Sequence, residues 1–252
     1  MPPSAGEDHP LTAKERLRAG LGGALDGPGG PRDAADRLCR ACVDLLHVDG
    51  AAVSLVLGGT SRGTFGASDV RSRRADELQS TLGEGPCLDA VRSRRPVLVD
   101  DLDDPGRRQW PALTEQLLGV GVQAVFALPV AVEAEGLGAL DLYRDRSGQL
   151  SADDLWGALH AAELAAGPLR DLASGEGPAG GDPDGQDALA LGRVEVYQAT
   201  GMVMGATGVD ADEALARLRA HAFTRGVPVG ELALSIVERR LTADAEAWDE
   251  RR

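Results

Sequence analysis

The chain has 252 residues, with 40 Asp and Glu against 26 Lys and Arg for a formal charge of −14, and Lys14 is its only lysine. That length suits two domains and a sizeable core, while the acidic balance excludes a protein that coats nucleic acid indiscriminately, because neutralising backbone phosphate supplies most non-specific affinity. No apolar run reaches about eighteen residues, the N-terminus lacks a signal-peptide core and the 3 cysteines suit a reducing compartment, so a cytoplasmic protein with no membrane association is expected.

Residues 1–30 are rich in Pro and Gly and are expected to form a flexible arm, with one short helical stretch around Thr12 to Gly20. Regular structure should begin near Asp33, where Ala34, Leu38, Ala41, Cys42, Leu45 and Leu46 make a helical stripe. Cys39 and Cys42 form a C-x-x-C, but with no second pair to complete a zinc site they read as core cysteines. Ala51 to Leu57 reads as a strand, with Gly63 to Gly66 able to pair with it. Arg71 to Thr81 reads as a polar helix, followed by the turn Gly83-Glu84-Gly85-Pro86 and a short helix from Cys87 to Ser93. Cys87 stands at a helix start, where the dipole can lower a thiol pKa, which makes it a candidate for ligand or redox sensing.

Val97 to Val99 reads as a strand, Trp110 to Leu118 as a helix, and Ala124 to Val132 with Gly138 to Tyr143 as two strands joined by the acidic turn Glu133 to Gly136. Ser151 with Asp154 opens a helix running through Leu155, Leu159, Ala162 and Ala166 toward Leu172. Mixed helices and strands with a late antiparallel hairpin argue an α+β fold. Asp100 and Asp101 stand in the wrong element order for a phosphate-accepting pocket. His47 and His160 read as surface or structural histidines, and no cofactor is expected. From Asp33 to Leu172 the element order, the turn GEGPCLDA at 83 to 90 and the hairpin ALPVAVEAEGLGALDLYR resemble a GAF domain, an antiparallel sheet covered by helices. The resemblance implies a small-molecule sensor over 31–173, with an unidentified ligand; residues 174–185 then read as a hydrophilic linker.

Residues 186–241 read as three consecutive helices, with 242–252 a tail. Val194, Tyr197, Gly201 and Met204 make one stripe, with a close helix approach expected at Gly201. Ala211, Ala214, Leu215, Leu218 and Ala222 make a second stripe after an Asp210–Glu213 capping box. Val229, Leu232, Ala233, Ile236 and Val237 make a third behind Gly226 and Pro228. Outside the second stripe, Arg217, His221 and Thr224 recur at helical spacing with Arg225 beside them and Arg219 adjoining, a pattern suited to phosphate and base contacts and equally to a solvated face.

Gln198-Ala199, Gly201-Met202, Asp-x-x-Glu-Ala at 210 to 214, Leu218-Arg219, Ala222 and Leu232-Ala233 with Ile236-Val237 resemble an ANTAR domain, the RNA-binding module of transcription antiterminators. The resemblance implies RNA leader hairpins as partner, a homodimer and Gln198 among the RNA-binding residues. It also implies that Thr200, where family members often carry a cation, withdraws charge from the contact face. Six Arg against seven acids in 186–241, net −1, leave recognition to shape and few contacts. The expectation is a signal-responsive antitermination regulator and not an enzyme; the alternative is a ligand- or redox-responsive protein-interaction module.

Overall fold

A computed structural model describes residues 11–57, 60–107, 109–132, 135–174, 195–196 and 198–241. α1 (Ala13–Gly23) starts at a complete capping box, in which the Thr12 hydroxyl accepts from the Glu15 amide and the Glu15 carboxylate accepts from the Thr12 N–H. Leu21 is fully buried and Leu17 packs on the same core. The flexible arm expected over 1–30 is therefore corrected for α1, whose leucines four residues apart share one face and dock it. The turn behind it is held by Arg37, whose guanidinium donates to the carbonyls of Ala24, Leu25, Gly27 and Pro28.

Five strands form one antiparallel sheet: β1 (Gly50–Leu57), β2 (Thr60–Ala67), β3 (Val97–Val99), β4 (Ala124–Val132) and β5 (Glu135–Arg144), in the order β2-β1-β5-β4-β3. Strand alternation divides the residues between two faces. Val53, Leu55, Phe126, Leu128, Leu140 and Leu142 pack against α1, α2 (Pro31–Leu45) and α6 (Ala152–Ser174). Ala52, Val125 and Tyr143 pack against α3 (Val70–Leu82) and α5 (Pro111–Gly119), while Val56 and Ala139 meet α4 (Pro86–Ser93). On α2 the buried stripe is Ala35, Leu38, Cys39 and Cys42, turned from the expected one so that both cysteines lie in the core. Burial pushes the Cys42 thiol up to about 12, and Cys39 is raised by the same cause, so both stay protonated and inert.

The late helices are α7 (198–207), α8 (Ala211–Arg225) and α9 (Val229–Val237). Asp210 caps α8 by accepting from the Glu213 amide at 2.9 Å, and Gly226 ends it in the left-handed region at φ 65°. Their shared core is Ala199, Val203, Ala214, Leu218, Ala222, Leu232, Ala233 and Ile236. On α9, and for Ala214, Leu218 and Ala222 of α8, these are the expected stripe residues, whereas Ala211 is exposed and Leu215 only half-buried, and the first stripe is corrected. Gly201 is exposed and a Cβ there would touch nothing within 4 Å, so no close approach occurs at it; Ala199 and Val203 face the bundle instead. Val194, Tyr197, the linker 174–185 beyond its first residue, and the tail 242–252 lie outside the described residues. No helix among the described residues is long and apolar enough to cross a membrane.

Candidate functional site

Successive residues stand about 100° apart round an α-helix, and this separates the predicted RNA-contacting residues of α8 into two groups. Arg217, His221 and Thr224 fall on one face; Arg225 is exposed in the last turn. Arg217 lies against Glu213 at 2.5 Å one turn back, and the Thr224 hydroxyl donates to the His221 carbonyl at 3.0 Å. Arg219 is turned about 200° from Arg217, and its guanidinium covers Gly83 of the sensor, where an added Cβ would meet Nη1 at 2.7 Å. Gln198 is exposed on α7. Thr200 is corrected: it is only 8% exposed and its hydroxyl donates to the Val196 carbonyl at 2.6 Å, so it occupies an inner position of the bundle and not a solvent face from which a cation has been withdrawn.

The side of α8 that carries Arg219 is docked on α3. Arg74 of α3 donates from Nη2 to the Gly226 carbonyl at 2.9 Å. Around this bond lies a cleft of about 20 Å³, room for a single water, lined by Arg74, Leu78, Thr81 and Gln116 from the sensor and Ala222, Phe223, Gly226 and Val227 from the bundle. Glu77 adds a repulsive element: partial burial raises its carboxyl above the usual range, Asp76 beside it and then Glu231 of α9 raise it further, and Arg73 and Arg74 pull against them. The sequence held no signal for this contact, because its residues are ordinary surface types until two helices meet.

The opposite side of α3 closes over a buried polar cluster. Asp76 accepts from the Ser54 hydroxyl and from the Thr64 hydroxyl at 2.5 Å, and Asp141 accepts from Gln79 Nε2 at 2.5 Å and from the Tyr143 hydroxyl at 3.4 Å, all through buried atoms. Gln79 Oε1 accepts from the Cys87 amide at 2.9 Å, tying α3 to α4. The glycines of the intervening turn are required by geometry. Gly83 caps α3 in the left-handed region at φ 70°, and Gly85, at φ 139°, leaves the space that Gln79 Oε1 and Leu113 fill.

Electrostatics here run against the expectation for Cys87. Burial, followed by the charges of Asp141 and Asp76, holds its thiol well above the ordinary value, so the helix start does not generate a thiolate. Burial and the neighbouring Asp76 likewise push the Asp141 carboxyl well above the carboxylate range, and Tyr143 is raised by burial and by Asp141. Asp76 is raised by burial and partly held down by the hydroxyls of Ser54 and Thr64. Sequence reasoning passed over Asp76 and Asp141. The usable signal was strand alternation: Asp141 stands between Ala139 and Tyr143, both buried on the same face of β5, so its carboxyl had to be buried too.

The remaining candidates fall apart in space. His47 Nδ1 lies 3.0 Å from Asp154 Oδ1 with its side chain 78% exposed, and His160 stacks on Trp156 beside Glu163, so the two histidines serve separate local contacts. Asp100 accepts from Gln149 Nε2 and Asp101 from the Asp103 amide, as loop acids.

Compared with known families, the chain matches the GAF domain over residues 30–167 and the ANTAR domain over residues 186–237. Among solved structures it is similar to the GAF domain of an Acinetobacter phosphoenolpyruvate-protein phosphotransferase, at 10% identity and TM-score 0.51, covering 66% of this chain and 99% of that one. It is similar to the corresponding domain from Coxiella burnetii, at 14% identity and TM-score 0.51, with the same coverage of 66% and 99%. At these identities the likeness shows the fold. A comparison with curated proteins found no match.

Proposed function

We propose, from the premise that this chain belongs to the GAF domain family and carries an ANTAR domain behind it, that it is a signal-responsive transcription antitermination regulator. GAF domains are sensors and ANTAR domains bind RNA in antitermination. In this reading α7 to α9 bind hairpin RNA in the cytoplasm, with Gln198, Arg217, Arg219, His221, Thr224 and Arg225 in contact, and a small molecule at the sensor decides how those residues are presented.

The observation that carries the reading is the division of α8 between two neighbours. One face holds Arg217, His221 and Thr224, while the side with Arg219 is closed against α3 of the sensor. A signal that favours the undocked arrangement uncovers Arg219 as a second RNA contact on the other side of α8 by population shift, in proportion to its differential affinity for the two arrangements. The near-neutral charge of 186–241 fits such control, because one guanidinium is a large part of a small electrostatic contribution. A homodimer places two such faces together, with the exposed Leu159 of α6 available to a seam.

The test is binding of the full chain to tandem-hairpin RNA and to scrambled RNA across a salt series. Preference for the hairpin with a shallow salt slope supports the reading. Equal weakness for both RNAs assigns α7 to α9 to protein assembly instead.

A further inference from the structure

We propose that Asp76, Cys87 and Asp141 form a binding site for a divalent transition-metal ion, with zinc(II) the best chemical fit. One ligand atom from each, two carboxylate oxygens and the Cys87 sulfur, lie within 4.8 Å of one another, and among the described residues this is the group of His, Cys, Asp and Glu that comes so close together. All three side chains are at most 1% exposed. The second observation concerns how that proximity is satisfied: Asp141 Oδ1 is buried and meets no N–H or alcohol donor, its polar neighbour being the Asp76 carboxyl, whereas Oδ2 of the same group accepts from Gln79 and Tyr143. Two buried carboxyls in contact must share a proton or a cation, and with the Cys87 sulfur beside them they form a donor set in which a metal ion can take the place of that proton.

The chemistry of the set selects the class. One thiolate and two carboxylates carry three negative charges, and thiolate is a soft donor that calcium and magnesium avoid. Three protein ligands with a fourth position for water or an incoming molecule is the pattern of an open tetrahedral zinc site. The supports are in place as well. Ser54 and Thr64 fix Asp76, Gln79 and Tyr143 fix Asp141, and Gln79 also holds the Cys87 amide, so α3, α4 and β5 each deliver one ligand under restraint. Binding is a proton-for-metal exchange: the thiol proton and any carboxyl proton leave to solvent, and no redox change is involved.

The test uses the full chain, stripped with chelator and titrated with cobalt(II) as a spectroscopic stand-in for zinc. The expected result is one cobalt per chain, with tetrahedral visible bands and a sulfur-to-cobalt charge-transfer band in the near ultraviolet, both erased by one equivalent of zinc(II). Cys87→Ser should abolish the charge-transfer band, and Asp141→Asn should weaken zinc binding by at least about tenfold while circular dichroism stays unchanged. The Cys39→Ala, Cys42→Ala double variant should keep the band. Binding only at large metal excess, or a band that survives Cys87→Ser and vanishes with Cys39 and Cys42, overturns the proposal. These readouts are of the metal itself, so the outcome is independent of RNA binding.

Discussion

Replacing Arg74 by Ala tests whether the contact between sensor and bundle restrains RNA binding. The change removes the 2.9 Å bond from Nη2 to the Gly226 carbonyl and nothing from α8 itself. The bond lies at an exposed edge, so its net worth is that of an ordinary hydrogen bond, about 0.5–1.5 kcal/mol, or roughly a 2- to 13-fold shift in the docked-to-undocked ratio. If the docked arrangement predominates, the apparent Kd for hairpin RNA falls by up to that factor, because it is the intrinsic Kd divided by the competent fraction. The direction is diagnostic. Losing a cation by itself weakens attraction to RNA, so a gain in affinity can come only from release. The assay is fluorescence anisotropy with a labelled hairpin at fixed salt, with hydrogen exchange over 211–226 reporting release separately. Faster exchange in α8 without tighter RNA binding would refute the restraint; unaltered exchange would refute the docking bond.

Glu77 gives the same contact a pH dependence. Its carboxyl is raised by burial, then by Asp76 on the same helix and by Glu231 across the contact; the Glu231 contribution is the one that undocking removes, so docking is favoured below the undocked pKa and weakens as pH rises through the docked one. RNA affinity at pH 8 should exceed that at pH 5.5 in the wild type, and Glu77→Gln should flatten this difference, as measured by anisotropy at both values. Arg217→Ala should weaken hairpin binding and reduce the slope of log K against log salt by about 1 with thermal stability kept; an unchanged slope moves the phosphate contact elsewhere. Leu218→Ala empties the centre of the α7–α9 core and should destabilise that bundle by about 2–5 kcal/mol, seen as a separate early transition in calorimetry that leaves the sensor transition in place.

The elements with strong periodicity were legible from sequence. β4 and β5 are apolar runs about an acidic turn, α8 and α9 carry compact stripes with an Asp210 cap and a Gly226 stop, and the two strand faces follow from period two. Helix rotation was not. α2 is rich in alanine and α7 in alanine and glycine, and a small residue fits inside or outside equally well, so Ala34 and Ala35, or Gly201 and Ala199, differ too little in hydrophobicity to set the face. The site divides the same way. Arg217, His221 and Thr224 share a face because spacing alone places them, whereas the position of Arg219 depends on a neighbouring helix far upstream in the chain, α3. Cys87 is marked by its turn, but a lowered thiol pKa does not follow from the helix start, because burial and then the charges of Asp141 and Asp76 outweigh a helix dipole.

α3 joins the two regions of interest, since its sides are given to different tasks. Asp76 and Gln79, three residues apart, point into the buried cluster, while Arg74, Leu78 and Thr81, at i, i+4 and i+7, face α8. Whatever alters the charge or contents of the cluster acts on the same rigid helix that holds the dock. Asp141→Asn separates the two effects. The raised Asp141 carboxyl adds stability that is fully present below the ordinary carboxyl range and is lost as pH rises through its folded value. Asparagine carries no such loss and still accepts from Gln79, so in chelator the variant should melt above the wild type, and the gap should widen from pH 5 to pH 8. A gap that is constant with pH would mean that Asp141 is ionised in the fold at both values. If the melting gap widens as expected while RNA affinity and exchange in α8 stay at wild-type levels, α3 stabilises the sensor without relaying its state, and control must reach the bundle by another route.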